Sequence, residues 1–203
     1  ADASKLVAAG QADIAITYQP QFMQQIAEGL PLVRIATLIA TPLNCLVVLK
    51  DSSIHHIRDL KGKRIGYSLP GVDQLMLQTL LKHHGLTLKD VKLINVHYGL
   101  TAALLSHKID AFTGGMRNFA PFEITSVGKN ARLFYPEDHG MPYYDELILV
   151  TRKDKLHDPR LRKFIIAMQQ GVVYLINHPE TSWENFAKNH PELNNSLNKK
   201  AWF

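Results

Sequence analysis

Apolar and polar positions alternate along this chain in two recurring patterns. Short apolar runs of strand length are followed by segments whose apolar residues recur at helical spacing. A helix is expected over residues 3–9, capped by Asp2 or Ser4 and closed by Gly10. The nearly all-apolar run ADIAIT at 12–17 predicts a short strand buried on both faces of a parallel sheet. A helix over 20–28, a strand over 32–40 and an extended stretch over 41–50 follow. Strands are then expected at 64–68, 91–96, 110–113, 131–135 and 147–151, with helices at 72–83, 100–106, 119–129, 159–177 and 180–189. Such alternation predicts an α/β architecture with mainly parallel sheets.

Two stretches share one grammar. VAAGQADIAITYQP at 7–20 and LLSHKIDAFTGGMRN at 104–118 each end a helix, start a strand near an Asp and run into a polar loop. In open α/β sheets ligands bind outside the carboxyl ends of strands. The expectation is therefore two lobes: residues 1–46 with 147–203 as one, and 47–146 as the other. Crossings near 41–50 and 144–152 would act as hinges, and both loops would line a cleft between the lobes.

Bulk properties narrow the function. The chain has 203 residues, 46% hydrophobic and 20% charged, as in ordinary globular proteins. No apolar run approaches the roughly 18 residues of a membrane span. The net charge of +5 is scattered among acidic residues, not gathered on one helix as nucleic-acid binders require, so no nucleic-acid partner is expected. The single cysteine, Cys45, excludes an intrachain disulfide and reads as a small buried hydrophobe. Ten histidines include the pairs His55-His56 and His83-His84, but no HExxH spacing, so no metal is expected. A GxSxG nucleophile elbow is also missing, and no catalytic residue is proposed.

Four loops carry candidate chemistry. TYQPQ at 17–21 offers Thr17, Tyr18 to stack on a flat ring and Gln19 to pair with ring nitrogens; a tyrosine packing its own lobe is the plainer alternative. GYSLPGVD at 66–73 links a strand to a helix start, where free N–H groups can hold an anion or a polar edge. The alternative is a turn that needs Pro and Gly for its geometry. TGGMRN at 113–118 is expected as a glycine-rich loop that lets backbone approach a ligand, with Arg117 as a planar donor fork and Asn118 beside it. PYYDE at 142–146 sets acids beside aromatics, where a carboxylate could pair with an amidine-like heterocycle edge.

The runs DASKLVAAGQADIAI, EGLPLVRIATLI, IRDLKGKRIGYS, KIDAFTGGMRNF and YYDELILVTRK resemble the family that binds pyrimidine precursors of thiamine. These proteins are substrate-binding components of ABC importers with the type II periplasmic binding protein fold, related to the fungal enzyme that makes the thiamine pyrimidine. The resemblance covers nearly the whole chain. The DLKGK-x-IGY run is shared with alkanesulfonate and nitrate binders; TYQP, GMRNF and YDEL together are narrower. The resemblance implies a small aminopyrimidine ligand, importer membrane subunits as partners, no cofactor, an extracytoplasmic or periplasmic location and a monomer. It also implies family segments before Asp2 and after Asn195, so both ends read as cut inside structure. By resemblance the cleft-facing residues are Thr17, Tyr18, Gln19, Asn44, Ser68, Gly71, Val72, Gly115, Met116, Arg117, Asn118, Tyr144 and Glu146. Glu146 is the expected acidic partner of an aminopyrimidine edge. The synthase relatives carry a cysteine-rich cluster where this chain has GMPYYDE, which weighs toward a binder. A binder of a sulfonate, nitrate or other small anion is the further alternative.

Overall fold

A computed structural model describes residues 2–203. The chain divides into two compact units: residues up to Pro42 together with Tyr144–Phe203, and Leu43–Tyr143. This division keeps the stretch 43–49 whole within the inner unit, whereas the sequence reading had cut it at residue 46. Its backbone pairings with 111–116 and 131–134 account for that.

The first unit opens with α1 (Ala3–Ala8). Asp2 caps it: its carboxylate accepts from the Ser4 amide at 3.1 Å, and its second oxygen accepts from Gln21 and Gln25 side chains at 2.9 and 2.8 Å. One carboxylate thus binds α1 to α2 (Gln19–Ala27), where Pro20 lies in the first turn, a position that tolerates its missing N–H. Between them runs β1 (Ala15–Thr17), and β2 (Leu32–Ile39) follows.

The inner unit contains β3 (Asn44–Leu49), β4 (Arg64–Tyr67), α3 (Val72–His83), β5 (Lys92–Asn95), α4 (Leu100–Leu105), β6 (Ala111–Met116), α5 (Ala120–Ser126) and β7 (Ala131–Phe134). The chain then returns to the first unit through β8 (Leu147–Arg152), α6 (Pro159–Asn177), α7 (Pro179–Asn189) and α8 (Ser196–Trp202).

The α/β class is as expected, but the sheets are mixed and not mainly parallel. The first unit's sheet runs β1-β8-β2, and both pairings are antiparallel. The inner unit's sheet runs β5-β4-β6-β3-β7. Only β5-β4 and β4-β6 are parallel; β3 opposes both β6 and β7. Apolar content misled the expectation for residues 12–17. The strand is three residues long and alternates, with Ala15 and Thr17 buried and Ile16 turned outward, as in a sheet with one wet face.

All six residues of β3 are buried, because helices cover both faces of the inner sheet. Leu46 and Val48 point to one side, where Ile65 and Ala111 meet Met76, Leu77, Leu80 and Leu81 of α3. Cys45, Val47 and Leu49 point to the other, with Phe112, Leu104 and Ile124. Each fully buried Leu or Ile here contributes about 1.5–3 kcal/mol of transfer free energy. The first unit has a smaller core of Val7, Phe22, Leu32, Ile148 and Val150. Asp158 caps α6 ahead of Pro159, and its pairing with Arg160 pulls its carboxyl down to about 2.

Candidate functional site

Because β4 and β6 are parallel, their carboxyl ends share one edge of the inner sheet. Ser68, Gly71 and Val72 follow β4, while Arg117 and Asn118 follow β6. Gly71 takes a φ of 88°, a conformation that suits glycine, and Val72 is the first residue of α3. Asn44 lies opposite Met116 in the β3-β6 register.

One expectation fails here. TGGMRN was read as a loop, yet residues 113–116 are the end of strand β6. Pairing with β3 explains this: Asn44 faces Met116 and Cys45 faces Gly115. Gly115 has a packing reason within the sheet itself. A Cβ there would fall 2.6 Å from the Phe112 ring and 2.7 Å from Val47, so packing requires the glycine. The Cys45 thiol is fully buried and donates to the Gly115 carbonyl at 3.1 Å.

The residue that organises this edge, Asp73, was not singled out from sequence. It closes the stretch GYSLPGVD, and its side chain is buried. One carboxylate oxygen accepts from the amides of Ser68 and Leu69, at 2.9 and 2.8 Å. The Asp73 carbonyl accepts from the Thr113 hydroxyl at 3.3 Å. Asp73 therefore ties the loop after β4 to the end of β6. Burial raises its pKa, and the two amide bonds offset only part of that. The Ser68 hydroxyl donates to the carbonyl of His97, which itself sits at φ 52°.

Arg117 is equally committed. Its guanidinium donates two hydrogen bonds to Glu137, at 2.7 and 2.9 Å. It lies 4.2 Å over the Tyr135 ring, and its amide donates to the Leu43 carbonyl at 2.8 Å. Burial works to raise the Glu137 carboxyl, but the hydrogen bonds and charge of Arg117 prevail and hold it below the ordinary range. Asn118 is exposed. Glu137 lies 20 residues from Arg117, so no local spacing signalled the pair.

In the first unit the loops at 17–19 and 144–146 meet. The Gln19 side-chain oxygen accepts from the Asp145 amide at 2.6 Å. The Asp145 carboxylate takes Arg34 at 2.8 Å and the Thr37 hydroxyl at 2.9 Å. Thr17, at the end of β1, is buried, and Tyr18 precedes α2 as its N-cap residue. Glu146 is buried beside the start of β8, while Tyr144 is half-buried. The sequence-predicted residues thus form one group in each unit. Among the described residues, no cluster of three or more His, Cys, Asp or Glu side chains could hold a metal ion, and no helix is long and apolar enough to cross a membrane.

Known proteins resemble this chain along nearly its whole length. A Haemophilus influenzae protein named for thiamine biosynthesis is 45% identical over 98% of the chain and 63% of its own length. A formylaminopyrimidine-binding protein of Halalkalibacterium halodurans is 28% identical over 95% of the chain and 59% of its own. A 4-amino-5-hydroxymethyl-2-methylpyrimidine phosphate synthase of Uromyces fabae is 26% identical over 98% and 61%. The chain thus spans less than two thirds of the length of these relatives. Among solved structures, the periplasmic aliphatic sulphonate binding protein SsuA of Escherichia coli matches with a TM-score of 0.72. It is 17% identical, over 91% of this chain and 60% of that one, a likeness that shows the periplasmic binding protein fold and nothing finer. The family model described as NMT1/THI5 like matches residues 1–182, and the chain belongs to that family.

Proposed function

We propose that this chain belongs to a solute-binding component of an ABC importer that captures a pyrimidine precursor of thiamine, an aminopyrimidine, outside the cytoplasm and passes it to the importer's membrane subunits. The observation that carries this reading is the joined pair of loops in the first unit. The Asp145 amide holds the Gln19 oxygen at 2.6 Å, which fixes the amide so that its NH2 end serves as a donor. Tyr18 supplies a flat apolar face beside it, and Glu146 supplies a carboxylate in a dry setting, where charge-assisted hydrogen bonds are strong. An aminopyrimidine needs these three things: a stacking face, a donor for a ring nitrogen and an acceptor for its amino group. The inner unit adds Asn44, Ser68, Gly71, Val72, Met116, Arg117 and Asn118 as a second group. The likeness to a formylaminopyrimidine-binding protein over 95% of the chain supports the same reading.

We read the protein as a binder and not an enzyme, since GMPYYDE contains no cysteine where the synthase relatives carry their cluster. Titration calorimetry with hydroxymethyl- and formylaminomethyl-pyrimidines tests the proposal. Binding of these is expected; silence toward both, with heat from methanesulfonate, would sink the pyrimidine assignment. Iron-dependent turnover of pyridoxal phosphate by the purified chain would sink the reading as a binder.

A further inference from the structure

The inner sheet's carboxyl edge holds two devices suited to an anion: the guanidinium of Arg117 and the backbone amides of Ser68 and Leu69 in the loop between β4 and α3. Each is already answered by a carboxylate of the protein itself. Glu137 takes two guanidinium N–H groups of Arg117, and Asp73 takes the amides of Ser68 and Leu69. Neither pairing is an incidental surface contact. The Arg117 and Glu137 side chains are only 17% and 19% exposed, the guanidinium rests on the Tyr135 ring, and Asp73 is 1% exposed.

We propose that Glu137 is a specificity-determining residue, which with Asp73 neutralises this edge so that it rejects anionic ligands and admits uncharged or cationic ones. The physical reason is direct. A sulfonate or carboxylate arriving beside Arg117 would have to displace Glu137 from a bidentate pair or lie next to its charge, and like-charge juxtaposition is costly. A neutral heterocycle meets no such penalty. The fold that sulfonate binders use is thereby turned away from anions without losing its arginine. The inference rests on the reading that this edge faces the ligand, and it goes further by assigning the selection against anions to two side chains.

The test compares the wild-type chain with Glu137→Gln, Asp73→Asn and the double variant Glu137→Gln/Arg117→Met. Calorimetry is run with methanesulfonate at low and high salt, after circular dichroism has established folding. Glu137→Gln is expected to bind methanesulfonate at least about tenfold more tightly than wild type, with a gain that salt weakens. The double variant is expected to lose that gain. Asp73→Asn, which acts on the other neutralised device, is expected to gain as well and serves as the reading if Glu137→Gln does not fold. Folded variants that gain nothing, or a gain that survives loss of Arg117, would overturn the proposal. Methanesulfonate reports on this edge whether or not a pyrimidine binds. A wild-type chain that ignores both pyrimidines therefore tells against the proposed function, and the sulfonate result still decides the role of Glu137.

Discussion

Gly114 lies directly against the carboxylate of Asp73: a Cβ added at Gly114 would fall 2.6 Å from Oδ2 and 2.8 Å from the carboxyl carbon. The glycine also has a φ of 88°, a conformation that side chains strain to adopt. Gly114→Ala therefore meets both a clash with a buried carboxylate and an unfavourable backbone. It is expected to cost about 1–3 kcal/mol from backbone strain alone. Urea unfolding would measure it; a variant as stable as wild type would contradict the close approach.

Asp73→Ala removes the shared acceptor of the Ser68 and Leu69 amides. A loss of about 1–3 kcal/mol is expected, the range for leaving donors inside the protein without their acceptor. Asp73→Asn retains an acceptor oxygen and should lose less. Neither variant titrates at this position, so the loss of each relative to wild type should shrink as pH rises. Burial raises the folded pKa of Asp73, so the protonated form supports the fold, and that support is lost as pH climbs through the folded value. Unfolding free energies of wild type and both variants at pH 4 and pH 7 check this: the gap to wild type should narrow at pH 7, while the gap between the variants stays constant.

The Glu137 carboxyl behaves with the opposite sign. Pairing with Arg117 holds its folded pKa below the ordinary 4.5, so its contribution is complete above that value and is lost as pH falls through the folded pKa. Glu137→Gln is expected to cost about 1.5–3 kcal/mol at pH 7, as for hydrogen bonds to a charged group. Wild type and variant should converge in acid, which urea titrations at pH 7 and pH 3 would reveal. A gap independent of pH would point to packing instead of charge.

His84 and His139 face each other with Nε2 and Nδ1 3.0 Å apart, so one ring donates and the other accepts. Burial lowers the pKa of both. The neighbouring rings and Arg58 lower His84 further, while Asp138 opposes the shift at His139 and His83 adds to it. The neutral pair favours the fold, so stability should fall as pH drops from 6.5 toward the lowered folded values. His139→Gln is expected to flatten the dependence between pH 8 and pH 5. An equally steep wild-type-like slope in this variant would place its origin elsewhere.

Asp145→Ala separates ligand geometry from stability. Arg34 is 40% exposed in its bridge with Asp145, and exposed pairs contribute at most about 1 kcal/mol. Stability should therefore change little. Affinity for hydroxymethylpyrimidine should fall by about tenfold, because the Asp145 carboxylate, held by Arg34 and Thr37, fixes the segment whose main-chain amide orients Gln19. Equal loss of stability and affinity would make Asp145 a purely structural residue.

Local pattern alone was sufficient for most elements. Helix α3 is read at 72–83 and α6 at 159–177, because caps, Pro and apolar spacing are properties of neighbouring residues. The TYQP and YDEL stretches likewise marked the two loops that join through Gln19 and Asp145. Sequence could not tell that β3 runs against β6, because strand direction depends on which distant strands pair. It read Gly114 and Gly115 as loop residues, when Asp73 and Phe112 are what require them. It offered Arg117 as a ligand contact, unaware of a carboxylate 20 residues on. The order of helices and strands, their caps and the apolar faces follow from the residues in line. Which charge answers which, and so what each charged group remains able to bind, was decided only when the fold brought Glu137 to Arg117 and Asp73 to the amides of Ser68 and Leu69. The reason is that electrostatic pairing acts over a few ångströms of space and not along the chain.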